Sequence, residues 1–105
     1  MSREALLSIT VICTYTVREG AQDAFRALLD RHWPALEAAG LVTEVPSRLL
    51  ASQREGSDNT IVEIFDWKSQ KASAAAHQVP AVLAIWEPMG QLCEAMRFEH
   101  FTALA

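Results

Sequence analysis

Residues 6–17, Leu-Leu-Ser-Ile-Thr-Val-Ile-Cys-Thr-Tyr-Thr-Val, are rich in β-branched side chains and alternate in two sets. Ile9, Val11, Cys13 and Tyr15 share one face, and Thr10, Ile12, Thr14 and Thr16 the other. The pattern predicts a strand, and a central one, because neither face is charged. Arg18-Glu19-Gly20 turns the chain. From Ala21 to Ala39 the spacing becomes helical, with Ala21, Phe25, Leu28, His32 and Leu36 on one stripe, Pro34 as a point of bending and Gly40 as the C-terminal cap.

A second strand is predicted from about Val45 to Gln53, then a hairpin through the polar cluster Glu55-Gly56-Ser57-Asp58-Asn59, then a third strand from Thr60 to Trp67. In the third strand Val62 and Ile64 lie on one face while Ile61, Glu63, Phe65 and Trp67 lie on the other, which sets a carboxylate among large apolar neighbours. Lys68 to His77 reads as an alanine-rich helix and Val79 to Glu94 as another. Pro80 suits the first turn of that second helix, where its missing N–H costs nothing, and Pro88 predicts a kink that would shape a pocket. Ala95 to Phe101 is the last strand and carries Arg97, Glu99 and His100.

The order β-α-β-β-α-α-β predicts an α+β, ferredoxin-like fold: a split β-α-β unit with an antiparallel sheet in the order 4-1-3-2 and helices on one face. The other face, expected to carry Ile12, Phe65 and Trp67, would then be a large wet apolar patch, so a homodimer formed through the sheet is predicted. At 105 residues, half of them hydrophobic, residues 1–105 make a single domain able to bury a modest core.

Charge narrows the partners. The formal net charge is −4, and the nine Lys and Arg are scattered without a run, which argues against nucleic acid. No stretch of about 18 apolar residues appears, and the N-terminus lacks the apolar core of a secretory leader, so a cytoplasmic protein without a membrane span is expected. Cys13 and Cys93 have apolar surroundings and no C-x-x-C spacing, as buried reduced thiols do. With no metal cluster, nucleotide loop or hydrolase motif, no cofactor is expected.

The first strand ending in TYTVREG, the segment Val62-Glu63-Ile64-Phe65-Asp66-Trp67-Lys68-Ser69, Ala75-Ala76-His77, Trp86 and the closing Phe98-Glu99-His100-Phe101 together resemble the antibiotic-biosynthesis-monooxygenase-like proteins of the dimeric α+β barrel superfamily. The resemblance spans nearly the whole chain. It implies that two protomers pack sheet to sheet, each with a pocket between sheet and helices. The superfamily includes cofactor-free quinol oxygenases, haem-degrading enzymes, small-ring isomerases and members with no known activity. The ligand histidine that the haem-degrading branch would place on the last helix is missing here, and Trp86 stands near that place.

Several side chains are candidates for chemistry. His77, at a helix end before Gln78-Val79-Pro80, can serve as a general base near neutral pH, a placement the resemblance also implies; it can equally cap helix carbonyls. Glu63 can face the cavity, orient a histidine such as His77, or pair with Arg48 or Arg97 across a dimer seam. His100 is expected near Thr14 or the pocket rim, or in a structural hydrogen bond at the strand end. His32 lies in the apolar stripe of the first helix, where a histidine is either a satisfied core residue or a substrate contact. Trp67 at its strand end could stack on an aromatic ligand, with Phe65 and Trp86 as further contacts. Two functions stay open. One is a cofactor-independent monooxygenase-like enzyme acting on an aromatic or polyketide-like phenol or enol, with His77 and Glu63 as catalytic residues; the other is a non-catalytic ligand-binding or interaction dimer of the same fold.

Overall fold

The computed structural model describes residues 8–54, 56 and 59–104. Leu6 and Leu7 of the first predicted strand, and Glu55, Ser57 and Asp58 of the predicted turn, lie outside them. The elements are β1 (Ile9–Val17), α1 (Gln22–Ala38), β2 (Arg48–Ala51), β3 (Thr60–Trp67), α2 (Gln70–Ala76), α3 (Pro80–Gln91) and β4 (Cys93–Thr102). They form one antiparallel sheet in the order β2-β3-β1-β4, an α+β, ferredoxin-like arrangement.

β1 sits between β3 and β4 as its uncharged faces require, pairing Cys13 with Glu63 on one side and with Phe98 on the other. β2 is shorter than its apolar pattern suggests. Pro46 has no N–H to give to a ladder, and pairing begins only at Arg48 opposite Ile64. β4 starts two residues earlier than expected: α3 ends at Gln91, and a register shift between Thr16 and Val17 brings Cys93 opposite Val17. Two glycines carry the chain round the ends of α1. Gly20, at φ 84°, and Gly40, at φ 73°, adopt a left-handed backbone that an L side chain would strain.

The helix-covered face of the sheet holds Val11, Cys13 and Tyr15 from β1 with Ile61, Phe65 and Trp67 from β3, packed against Phe25, Leu29 and Leu36 of α1 and Val82, Ile85 and Met89 of α3. Leu29, not Leu28, is the deeply buried member of the α1 stripe. The expectation that Phe65 and Trp67 lie on the open face is overturned. Phe65 stands opposite Val11 and Trp67 opposite Ile9, so they share the inner face and are only 3% and 4% exposed. The grouping within each strand was sound, but β3 was matched to the wrong face of β1. The open face instead carries Thr10, Ile12 and Thr14 with Val62, Ile64 and Asp66, which β1 and β3 align as partners. There the Thr10 hydroxyl donates to Asp66 Oδ1 at 2.6 Å.

Cys13 and Cys93 are both buried and unbridged. Cys93 pairs with Val17, four residues along β1 from Cys13, a strand distance of about 13 Å that no disulfide spans.

Candidate active site

An apolar cavity of about 370 Å³, within the range of small-molecule pockets, lies between the sheet and α2 and α3. Its floor is Val11, Cys13, Tyr15, Phe65 and Trp67; Trp86 and Met89 of α3 form one wall, and Ser73, His77, Phe98 and His100 reach its rim. Phe65 and Trp67 meet edge to face at 5.0 Å. Trp67, Ser73 and His100 also line a neighbouring, more polar cavity of about 340 Å³ with Ser69, Gln70 and Thr102. The cavity forms because α2 is a short run of small residues: only Ala72 and Ala76 are buried from it, leaving room beneath.

Glu63 is completely buried beside this floor and holds two partners together, Tyr15 and His32. The Tyr15 hydroxyl donates to its Oε1 at 2.7 Å, and His32 Nδ1 lies 2.9 Å from Oε1 and 3.0 Å from Oε2. The far side of the imidazole is also engaged, for Trp86 Nε1–H donates to His32 Nε2 at 2.7 Å. An indole N–H can only donate, so Nε2 must be the acceptor and the proton of the neutral ring sits on Nδ1, directed at the carboxylate. Every polar atom of His32 is therefore used in holding the structure. Helical spacing places it there: His32 follows Leu29 and precedes Leu36 on the buried stripe of α1, which crosses β3 at Glu63.

This arrangement corrects two expectations. Glu63 orients His32, not His77, and at 0% exposed it is closed off inside the protomer from any Arg48 or Arg97 across a dimer seam. Arg48 aligns with Ile64 on the opposite face of the sheet, and Arg97 bonds the exposed Glu99 at 2.8 Å. The missed member is Tyr15. Its position two residues from the partner of Glu63 becomes visible only once the β1–β3 register is known.

Burial, reinforced by the negative charge of Glu63, pushes the Cys13 thiol up to about 12. The same two causes, in the same order, push the Tyr15 phenol far up, so it remains a hydrogen-bond donor. Neither is a nucleophile at neutral pH. His77 differs from His32. It caps α2, packs edge to face on Trp86 at 4.9 Å, and neither ring nitrogen is hydrogen-bonded to another described residue. His100 aligns with Val11, on the face opposite to Thr14, and reaches both cavities, so the expected approach to Thr14 does not occur. The Trp67 N–H is buried without a partner among the described residues. No three His, Cys, Asp or Glu side chains converge as metal ligands among the described residues.

No protein-family model matches the chain, and neither does any curated protein. Solved structures do. A variant of SnoaB, a cofactor-independent oxygenase from Streptomyces nogalater, superposes with a TM-score of 0.75 at 25% identity over 91% of this chain and 92% of that one. The fold is that of the antibiotic-biosynthesis-monooxygenase-like proteins. An antibiotic biosynthesis monooxygenase gives a TM-score of 0.76 at 13% identity, covering 92% of this chain and 99% of its own. Rv0793 from Mycobacterium tuberculosis gives 0.76 at 21%, covering 93% and 96%. In each case the similarity covers more than nine-tenths of both chains.

Proposed function

We propose that the chain is a cofactor-independent monooxygenase acting on a flat aromatic or polyketide-like phenol or enol. The observation that carries the reading is the apolar cavity with the unengaged His77 imidazole at its rim, next to aromatic walls that would sandwich a planar ring. The whole-chain likeness to a cofactor-independent oxygenase supports it. His32 is unsuited to the role because its basic lone pair is occupied by Trp86.

In this reading His77 takes the acidic proton of the bound phenol or enol, and the resulting anion transfers one electron to dioxygen. The radical pair combines to a peroxide, which loses water. For an anthrone the methylene becomes a carbonyl and the balance is one dioxygen consumed per water released. Trp67, with its buried unpaired N–H, donates to a substrate oxygen, and Phe65 and Trp86 hold the ring. Exclusion of water by this apolar lining would keep the radical pair from side reactions.

A homodimer fits the same picture. Phe98 and Phe101 of β4 are 50% and 46% exposed, and the open sheet face presents half-buried Ile12, Val62 and Ile64; a second copy would cover both. The test is oxygen uptake with a panel of dihydroxynaphthalenes and anthrones after chelation. His77→Ala is expected to lose about 10²–10⁴-fold in rate, the usual worth of a general base, with a smaller loss for His100→Ala. Equal slow oxidation by wild type and His77→Ala would leave the ligand-binding dimer as the function.

A further inference from the structure

The three tryptophans differ in what receives their N–H groups. Those of Trp33 and Trp67 are buried with no partner among the described residues, whereas Trp86 donates to an imidazole whose other nitrogen faces a fully buried carboxylate. Removing an electron from a buried indole leaves a cation in an apolar medium, which is costly unless the charge can move to a partner. Trp86 alone has such a partner within the described residues. We propose that Trp86 is a one-electron redox site, with His32 as the internal acceptor of its indole proton and Glu63 as the fixed counter-charge.

The step balances. An oxygen-centred organic radical, of the peroxyl or phenoxyl class, in contact with Trp86 in the cavity takes one electron from the indole and becomes its anion. The Trp86 Nε1–H bond breaks and a bond to His32 Nε2 forms across the existing 2.7 Å hydrogen bond. The new imidazolium keeps its Nδ1–H on the Glu63 carboxylate, so the positive charge comes to rest 2.9 Å from a negative one. A neutral indolyl radical remains on Trp86. Because Trp86 lines the cavity while Trp33 does not, and Trp67 has no proton acceptor among the described residues, a hole that reaches the tryptophans settles on Trp86. Tyr15, which lines the cavity and donates to Glu63, is its competitor, and a tyrosyl radical in place of the indolyl signal would assign the site to Tyr15 instead. The site would reduce stray radicals before they attack the surrounding fold, and it operates whether or not the cavity turns over a substrate.

The experiment therefore uses the full chain without substrate. Tris(bipyridine)ruthenium(II), photo-oxidised by flash–quench with a sacrificial acceptor, serves as the oxidant, and transient absorption and electron paramagnetic resonance identify the radical. Wild type should give the neutral indolyl radical, and Trp86→Phe should lose most of it. In His32→Gln the amide can accept the hydrogen bond but not the proton, so the signal should shift to the indolyl cation radical. Should His32→Gln fail to fold by circular dichroism, Glu63→Gln takes its place, with a reduced neutral-radical yield expected once the counter-charge is gone. An undiminished neutral radical in Trp86→Phe, or a cation radical in wild type, overturns the proposal.

Discussion

His32→Leu is expected to be among the most destabilising substitutions in the chain, and more so than His32→Leu combined with Glu63→Leu. The single change leaves Glu63, 0% exposed, with only the Tyr15 hydroxyl, and leaves the Trp86 N–H without an acceptor. Removing one member of a buried charged pair costs about 3–5 kcal/mol. The double substitution removes the buried charge as well; the unpaired Trp86 N–H is common to both variants, so the charge penalty of the single change is replaced only by an unpaired Tyr15 hydroxyl, worth about 1–3 kcal/mol. The two changes should therefore be strongly non-additive, with a coupling of at least about 2 kcal/mol. Urea unfolding of the four proteins measures this. A loss of about 4 kcal/mol at an m-value of about 1.5 kcal/mol per M lowers the midpoint by about 2–3 M, a large part of what a domain of this size has. If His32→Leu lies within about 1 kcal/mol of wild type, or if the two effects add to within about 0.5 kcal/mol, the buried network does not hold the fold as argued.

The Cys13 thiol stays neutral up to about 12 in the folded chain against 9.0 when unfolded, so its contribution is complete below 9.0 and is lost as pH rises through about 12. Alkaline titration of stability should fall across that window at about 1.4 kcal/mol per pH unit for each such group, with Tyr15 adding to it, and Cys13→Ala should flatten the decline. Phe65→Glu is expected to unfold the chain, whereas Ile64→Glu, on the open face, should leave the monomer folded and dissociate the proposed dimer by sedimentation; an unchanged mass for Ile64→Glu would count against that interface. Gly40→Ala should cost about 1 kcal/mol in thermal or urea unfolding because φ there is 73°; no loss would mean that the left-handed cap is not needed.

Period and punctuation in the sequence were enough for the order of elements, the central place of β1 and the turns at Gly20 and Gly40, because alternation, helical spacing and glycine signals are local properties of the chain. They were also enough to single out Glu63 as an acid on an apolar face, since a strand's side chains alternate whatever the strand pairs with. Which face of β3 joins which face of β1 is not local. It depends on register, where a slip of one residue inverts every side chain, and for that reason Phe65 and Trp67 were expected on the wrong side of the sheet. The partner of Glu63 was hidden for a related reason. His32, 31 positions away, and Tyr15, 48 positions away, reach it only through the packing of α1 on the sheet and the pairing of β1 with β3, and the desolvated carboxylate binds whichever donors that packing supplies. The sequence therefore determined the elements and the unusual residue; tertiary structure alone decided that the residue holds Tyr15 and His32 together and leaves His77 unengaged at the cavity rim.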